Sequence, residues 1–210
     1  MAYPIRFITF EGPEGAGKST QCARLAEWLR ARGDDVLTTR QPGGDPVGKR
    51  LREILLGGAD GDVTDRAELL MMMADRSQSV AKIIRPHLAK GGTVLCDRYA
   101  DSSLAYQGYG RGIDLEFVST LNEFAVEGLW PDLTLLLDID PAEGLARQMA
   151  RTRMEEEAID FHRRVHAGFL AIARQNPDRV AVIDADGSLE EVAERIRIAY
   201  EAHHRNHASA

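Results

Sequence analysis

One short segment constrains the fold of this chain more than any other: the run GPEGAGKS, residues 12–19. It fits the pattern G-x-x-x-x-G-K-[S/T] at every fixed position, and it stands after a strand pattern and before a helical one. Glycines let backbone N–H groups curl around phosphate oxygens, and the amino terminus of the following helix adds a favourable dipole. The segment therefore predicts a phosphate-binding loop for a nucleoside triphosphate.

Within this loop the pattern predicts separate tasks for two side chains. Lys18 is expected to reach the β- and γ-phosphates, and the Ser19 hydroxyl is expected to bind Mg²⁺. A glycine-rich turn that holds Lys and Ser by chance is the alternative, which the strand–turn–helix context disfavours. The loop by itself does not indicate what is done with the triphosphate.

The rest of the chain alternates short apolar runs with longer helical patterns. Strands are predicted over residues 5–10, 35–40, 93–97, 133–139 and 179–185. Most are apolar almost throughout, as expected when helices cover both faces of a parallel sheet. Helices are predicted over residues 18–32, 46–56, 65–90, 114–128, 141–152, 157–175 and 188–203. This alternation predicts an α/β fold of the P-loop NTPase type, with a doubly wound five-stranded parallel sheet and ligands at the carboxyl ends of its strands.

Length and composition limit the remaining options. With 210 residues, the chain is expected to form a single domain over residues 1–210. Its net charge of −7 argues against a broad nucleic-acid-binding face. Cys22 and Cys96 match no metal-binding pattern, which indicates buried residues of a reducing compartment. Because we find neither a secretory signal nor a run of ~18 apolar residues, we expect a cytoplasmic protein that does not interact with a membrane.

Two large classes of P-loop protein lack their motifs here. The chain contains neither the Asn-Lys-x-Asp guanine-binding motif nor a Leu-Ser-Gly-Gly-Gln signature. Arginines instead stand beside carboxylates at strand ends, namely Arg40 and the pair Asp97 and Arg98. Since phosphoryl transfer is mostly positioning and charge neutralisation, converging arginines favour a second substrate that carries a phosphate. A small kinase acting on a nucleotide fits better than a simple hydrolase.

Six segments that span nearly the whole chain resemble those of bacterial thymidylate kinases, and they follow that family's order. They are FEGPEGAGKST, TRQPGG, AELLMMMADRSQ, DRYADSSLAYQGYGRG, PDLTLLLDIDP and RMEEEAIDFHRRVHAGF. Asp-Arg-Tyr followed shortly by AYQG is far more specific than the phosphate loop alone. The resemblance implies transfer from ATP to dTMP, with Mg²⁺ as cofactor and a homodimer as the assembly.

The resemblance also implies site residues, matched motif by motif. ATP is expected to contact Gly12, Pro13, Glu14, Gly15, Ala16, Gly17, Lys18, Ser19 and Thr20. Catalysis is expected from Lys18, Asp97, Arg98 and Arg151. Mg²⁺ is expected at Ser19 and Asp97. The acceptor dTMP is expected to contact Glu14, Arg40, Met72, Arg76, Arg98, Ser103, Tyr106 and Gln107.

Within the acceptor set the implied roles differ. Glu14 is expected to bind the sugar 3′-hydroxyl, and Tyr106 to lie near the sugar and disfavour a 2′-hydroxyl. Arg98 is expected to hold the acceptor phosphate, with Arg40 nearby. The loop of residues 184–188 is expected near the adenine of ATP. The thymine edge is expected to face Arg76, Ser103 and Gln107.

The acceptor site departs from the family pattern at two positions. Gln41 replaces the glutamate of the usual Arg-Glu-Pro-Gly-Gly, which removes a charge but keeps a polar side chain able to donate. Met72 takes the place of the phenylalanine that stacks on thymine, four residues before Arg76 and so on the same helix face. Met71 and Met73 are expected in the core. A looser base site follows, because a thioether discriminates shape less than a ring.

The lid, about residues 147–157, is the third departure, since it is about three residues shorter than is common in the family. Thr152 stands in the place of an aspartate, while Arg147 and Arg153 match family arginines. Ala16 stands where one branch of the family carries an arginine, so the catalytic arginine is expected from the lid, as Arg151. Two alternatives stay open: a related kinase with a changed base preference, and a nucleotide-binding regulatory protein that has lost catalysis.

Overall fold

A five-stranded parallel sheet forms the centre of the computed structural model, which describes residues 5–57, 63–147 and 156–208. The strand order is β2-β3-β1-β4-β5, and all four pairings are parallel. The strands are β1 (Phe7–Glu11), β2 (Val36–Arg40), β3 (Thr93–Asp97), β4 (Leu133–Asp138) and β5 (Val180–Asp184). The predicted α/β fold class is confirmed, and each strand begins and ends within two residues of its predicted bounds.

The helices are α1 (Lys18–Ala31), α2 (Pro46–Leu56), α3 (Asp65–Ser79), α4 (Arg85–Ala89), α5 (Ala100–Ser103), α6 (Leu115–Val126), α7 (Pro141–Ala146), α8 (Ile159–Gln175) and α9 (Leu189–Ala208). Two π-helical segments, Val80–Ile84 and Leu104–Gly110, follow α3 and α5. The helix predicted over 141–152 ends at Ala146, and residues 148–155 lie outside the described ranges. Within those ranges, no helix is both long and apolar enough to cross a membrane.

Alternate residues of the strands belong to different apolar clusters on the two faces of the sheet. On one face, Ile8 of β1 and Leu135 of β4 belong to a cluster that includes Leu25 of α1 and Ile196 of α9. On the other face, Phe7 of β1 packs in a cluster with residues of the first π-helical segment. Because side chains alternate along a strand, apolar residues at nearly every position require cover on both faces.

The helical segment from Ala100 to Gly110 was absent from the prediction. Its second part contains two glycines, which lower helix propensity, and it carries no clear apolar stripe. Tertiary packing overrides this weak local preference, because Ala105 and Tyr106 join the buried cluster that α8 contributes to with Phe161 and Phe169. The segment thereby brings Tyr106 to the carboxyl edge of the sheet.

Helix α7 packs directly against the phosphate loop through two glycines. A Cβ atom on Gly144 would lie 2.1 Å from the Glu14 carbonyl oxygen, and one on Gly15 would lie 1.9 Å from the Gly144 carbonyl oxygen. Gly15 also has a φ of +70°, a conformation that L side chains rarely adopt. The backbone that leads to the lid therefore touches the loop with no side chain between them.

Gly144→Ala should separate α7 from the phosphate loop, because the added methyl group meets backbone rather than a movable side chain. We expect a loss of about 1–3 kcal/mol in the free energy of unfolding, measured by urea denaturation. Ala146→Ser, which adds one atom on the exposed face of α7, is the control and should change stability by less than about 0.5 kcal/mol. Equal stability of the two variants would contradict the contact.

Candidate active site

Two adjoining cavities open at the carboxyl ends of the strands, where a doubly wound sheet binds its ligands. The phosphate cavity, of about 920 Å³, is lined by Glu14, Gly15, Gly17, Lys18, Ser19, Thr20, Arg40, Gln41, Arg52, Asp97, Arg98 and Arg147. The inner cavity, of about 630 Å³, is lined by Glu14, Gln41, Pro42, Arg52, Leu56, Met72, Arg76, Arg98, Tyr99, Ser102, Ser103, Tyr106 and Gln107. Four residues belong to both and define the junction: Glu14, Gln41, Arg52 and Arg98.

The lysine of the phosphate loop is held in place by the loop itself. The Lys18 Nζ atom donates a hydrogen bond of 2.6 Å to the Pro13 carbonyl oxygen. Burial and repulsion from Arg98 lower the pKa of the Lys18 ammonium to about 8. Gly12, Pro13 and Ala16, predicted to contact ATP, do not line the phosphate cavity. An anion that enters the cavity thus meets a desolvated ammonium in fixed position.

Ser19 and Asp97 offer oxygen ligands side by side. The Ser19 hydroxyl donates a short hydrogen bond to Asp97 Oδ2, and Arg40 Nη2 lies 3.7 Å from the same oxygen. Among the described residues, no cluster of three or more His, Cys, Asp or Glu side chains could hold a metal ion. A hard cation bound here would take its other ligands from phosphates and water, which suits the coordination habits of Mg²⁺.

Arg98 is one corner of a closed triangle of hydrogen bonds with Glu14 and Tyr106. Its Nη2 atom lies 2.8 Å from Glu14 Oε1 and donates to the Tyr106 hydroxyl at 3.0 Å. The Tyr106 hydroxyl in turn donates to Glu14 Oε1 at 2.8 Å. Burial raises the pKa of Glu14, but the charges of Arg98 and Lys18 outweigh this effect and lower the pKa to about 2. Glu14 is therefore an ionised acceptor at the junction.

Glu11 is linked to this triangle through Ser102, which contacts Arg98. The sequence analysis did not predict a role for Glu11. Its fully buried carboxylate accepts hydrogen bonds from the backbone N–H groups of Tyr99 and Ser102 and from the Ser102 hydroxyl, at 2.7, 3.3 and 2.6 Å. Ser102 Oγ accepts from Arg98 Nη1 at 3.3 Å. The only available signal was a carboxylate at the end of β1, in a strand otherwise free of charge.

The inner cavity is built around a buried guanidinium. Arg76 is 2% exposed and donates hydrogen bonds to Gln41 Oε1, Met73 Sδ, Ser103 Oγ, Asn122 Oδ1 and the Tyr99 carbonyl oxygen. Burial lowers the pKa of Arg76. These hydrogen bonds fix the guanidinium group in the wall of the inner cavity.

The three consecutive methionines take different places. Met72 lines the inner cavity, and Met73 is buried, as predicted. Met71 is only half-buried, so its predicted place in the core is wrong. The difference arises because α3 is covered by its neighbours over only part of its circumference, and Leu70 beside Met71 is exposed.

Arg52 is a junction residue that the sequence motifs do not mark. Its Nη1 atom donates to the Pro42 carbonyl oxygen at 3.0 Å, and its side chain lies 3.0 Å from the position of a Cβ on Gly43. Burial and repulsion from Arg40 lower the pKa of Arg52. The signal that could have revealed it is the amphipathic helix α2, which directs this arginine back over the loop before it.

The other predicted residues divide into those at the site and those outside the described ranges. Gln107 lines the inner cavity and donates to Glu68 Oε1 at 2.9 Å. Arg147 lines the phosphate cavity and lies 3.5 Å from Asp186, which brings the loop of residues 184–188 beside that cavity. The predicted lid residues outside the described ranges are Arg151, Thr152 and Arg153.

Positive charge dominates the phosphate cavity. Of its described lining residues, five are cations and two are carboxylates: Lys18, Arg40, Arg52, Arg98 and Arg147 against Glu14 and Asp97. Such an excess stabilises two phosphate groups brought close together. The geometry therefore suits a reaction in which a phosphate group passes between two ligands that meet at the junction.

Comparison with known proteins gives a consistent result. A family model described as thymidylate kinase matches residues 10–196. A thymidylate kinase of Desulfovibrio desulfuricans is 49% identical over 209 residues, which cover 95% of this chain and 96% of the relative. One from a Synechococcus species is 54% identical over 190 residues, or 90% of this chain and 91% of the relative. The crystal structure of an Ehrlichia chaffeensis thymidylate kinase is 35% identical with a TM-score of 0.79, and the match covers 95% of this chain and 100% of that one.

Glu11→Gln should remove a pH-dependent part of the stability. Burial and Asp101 raise the pKa of Glu11 from 4.5 to about 7, so between these values the native state keeps a proton that the unfolded chain loses. The wild-type free energy of unfolding should therefore fall by on the order of 3 kcal/mol across this window, relative to the variant. Urea denaturation at pH 4.5 and pH 7 measures the difference. Parallel pH profiles would contradict the assignment.

Proposed function

The chain belongs to the thymidylate kinase family, and from this premise we propose how its two cavities serve one reaction. The reaction is transfer of a phosphoryl group from ATP to dTMP, which gives dTDP and ADP. The observation that carries the assignment of sites is the junction, where Arg98 and Arg52 face both cavities. A phosphate of ATP on one side of these arginines and the phosphate of dTMP on the other would be aligned for in-line transfer.

The donor occupies the phosphate cavity. Backbone N–H groups of the phosphate loop surround the ATP phosphates, and Lys18 neutralises the charge that moves between donor and acceptor. The transition state is mostly stabilised by position and charge, so no protein nucleophile is required. Arg147 faces this cavity; the other two arginines proposed for the lid, Arg151 as the catalytic one and Arg153, lie outside the described ranges.

The acceptor occupies the inner cavity with its phosphate at the junction. Arg98, Arg52 and Arg40 hold that phosphate, and the ionised Glu14 accepts a hydrogen bond from the sugar 3′-hydroxyl. Tyr106 is fixed by Arg98 and Glu14, and its ring limits the room for a 2′-hydroxyl. The thymine lies against Met72, with its polar edge towards Arg76, Ser103 and Gln107.

Mg²⁺ is the cofactor that we propose, held by Ser19 and Asp97 together with the phosphates of ATP. When bound, it would neutralise negative charge on the phosphates. The Ser19–Asp97 hydrogen bond keeps these two oxygens adjacent before the cation arrives.

We also propose a homodimer and a cytoplasmic location. Leu70 on α3 and Phe117 and Phe124 on α6 expose large apolar side chains, with Phe124 80% exposed, and a second copy would cover them.

The cytoplasmic location is supported by the cysteines. Cys22 and Cys96 are buried free thiols, which fits a reducing compartment.

The direct test is ADP release with ATP and Mg²⁺ against dTMP, dUMP, dCMP, dGMP and UMP. We expect dTMP to be turned over far better than the others. A different preferred monophosphate would show that the base site has changed its specificity. ATP binding without turnover of any of them would contradict the proposal.

Arg52→Met should weaken binding of the acceptor more than binding of ATP. Loss of one charge-assisted contact to the dTMP phosphate should lower kcat/KM for dTMP by about 10–100-fold. Steady-state kinetics with each substrate varied in turn would measure this, with the KM for ATP expected to change little. Arg50→Met, at an exposed position of the same helix, is the matched control, and an equal effect of both variants would refute the role of Arg52.

A further inference from the structure

Gln41, the residue that replaces the usual glutamate, lies between the two cavities. It is 4% exposed and is one of the four junction residues. The backbone N–H of Gln41 donates to the Asp97 carbonyl oxygen at 3.0 Å, which ties it to the carboxyl edge of the sheet. Its side chain turns to Arg76, with Oε1 3.1 Å from Arg76 Nε.

The guanidinium of Arg76 is buried without an ionised acceptor. Each of its hydrogen-bond partners in the described chain is neutral: an amide oxygen of Gln41, another of Asn122, a hydroxyl, a thioether and a backbone carbonyl. A buried charge usually has a carboxylate partner, because desolvation is otherwise poorly compensated. The carboxyl groups of Glu11 and Asp75 attract this charge without a hydrogen bond to the guanidinium, so Arg76 can still attract an anion that enters the cavity.

The orientation of the Gln41 amide follows from the same contact. Arginine can only donate, so Gln41 must present its oxygen to Arg76 and turn its nitrogen away. Within the described ranges, this buried nitrogen finds no hydrogen-bond acceptor. An unsatisfied buried donor costs stability, so the glutamine has a disadvantage for folding that a glutamate would not have.

A glutamate at this position would pair with Arg76 and would add a negative charge at the junction. That charge would stand beside the arginines that receive the acceptor phosphate, Arg52 and Arg98. In a partly desolvated site, one unit of charge changes the binding of a phosphate dianion substantially, but barely affects a neutral ligand. Glutamine thus favours ligands that bring their own negative charge.

We propose that Gln41 is a specificity-determining residue that strengthens binding of the phosphorylated acceptor relative to its neutral nucleoside, by giving Arg76 a neutral hydrogen-bond partner in place of an anionic one. The inference rests on the proposed function, since it takes dTMP as the ligand of the inner cavity. Compared with a glutamate, Gln41 improves discrimination between the phosphorylated acceptor and its nucleoside, and it lowers the stability of the folded protein.

Gln41→Glu tests both halves of the inference. Calorimetric titration without ATP should show dTMP binding weakened by about tenfold, while thymidine binding changes by less than about twofold. Thermal unfolding should shift upwards by about 2–4 °C, because the new carboxylate pairs with Arg76. Gln175→Glu, at an exposed position on α8, adds the same charge elsewhere and should leave the ratio of the two affinities unchanged.

A second variant separates charge from hydrogen bonding. Gln41→Met removes the oxygen that Arg76 uses but adds no charge, so the dTMP-to-thymidine affinity ratio should stay near the wild-type value. An unchanged ratio in Gln41→Glu, an equal loss for both ligands, or a lower melting temperature would overturn the inference. Failure of the wild type to phosphorylate dTMP would instead refute the proposed function, since the titrations need no turnover.

Discussion

The buried carboxylate of Glu11 is the interaction on which the rest of the site depends. It ends β1 and accepts from two backbone N–H groups at the start of α5, and from the Ser102 hydroxyl. Between β3 and α5 lies Arg98, whose φ of +68° is unusual for a residue with a side chain. Such strain persists only where the surroundings enforce it. By holding the backbone beyond Arg98, Glu11 fixes the side chain that links Glu14, Tyr106 and both cavities.

The electrostatic design of the site follows from this arrangement. Charged groups are buried close together, and the acids are fewer than the bases around the phosphate cavity. Glu14 remains ionised because Arg98 and Lys18 face it, while Lys18 loses part of its basicity through burial. The remaining excess of positive charge fits two phosphate-bearing substrates. Gln41 extends the same principle to the inner cavity, where the hydrogen-bond acceptors of Arg76 in the described part of the chain are neutral.

The features that the sequence predicted well depend on residues close together in the chain. The phosphate loop has a spacing that only a few backbone shapes satisfy, and the apolar strands have a periodicity that requires cover on both faces. Met72 could be placed on the inner-cavity side because residues four apart share a helix face. The unpredicted helical segment after β3, by contrast, contains glycines and is held by contacts with α8. No local preference indicates such a segment.

The sequence by itself determined the class of fold, the triphosphate loop and, through the resemblance of its motifs, the family. These depend on spacing and periodicity, which act over a few residues. Only the tertiary structure decided that Glu11 supports Arg98, that Arg52 reaches the junction and that Arg76 is buried among neutral partners. Each of these joins residues far apart in the chain, as Glu11 and Ser102 are. Such contacts arise from packing and burial, and those determine which charges meet.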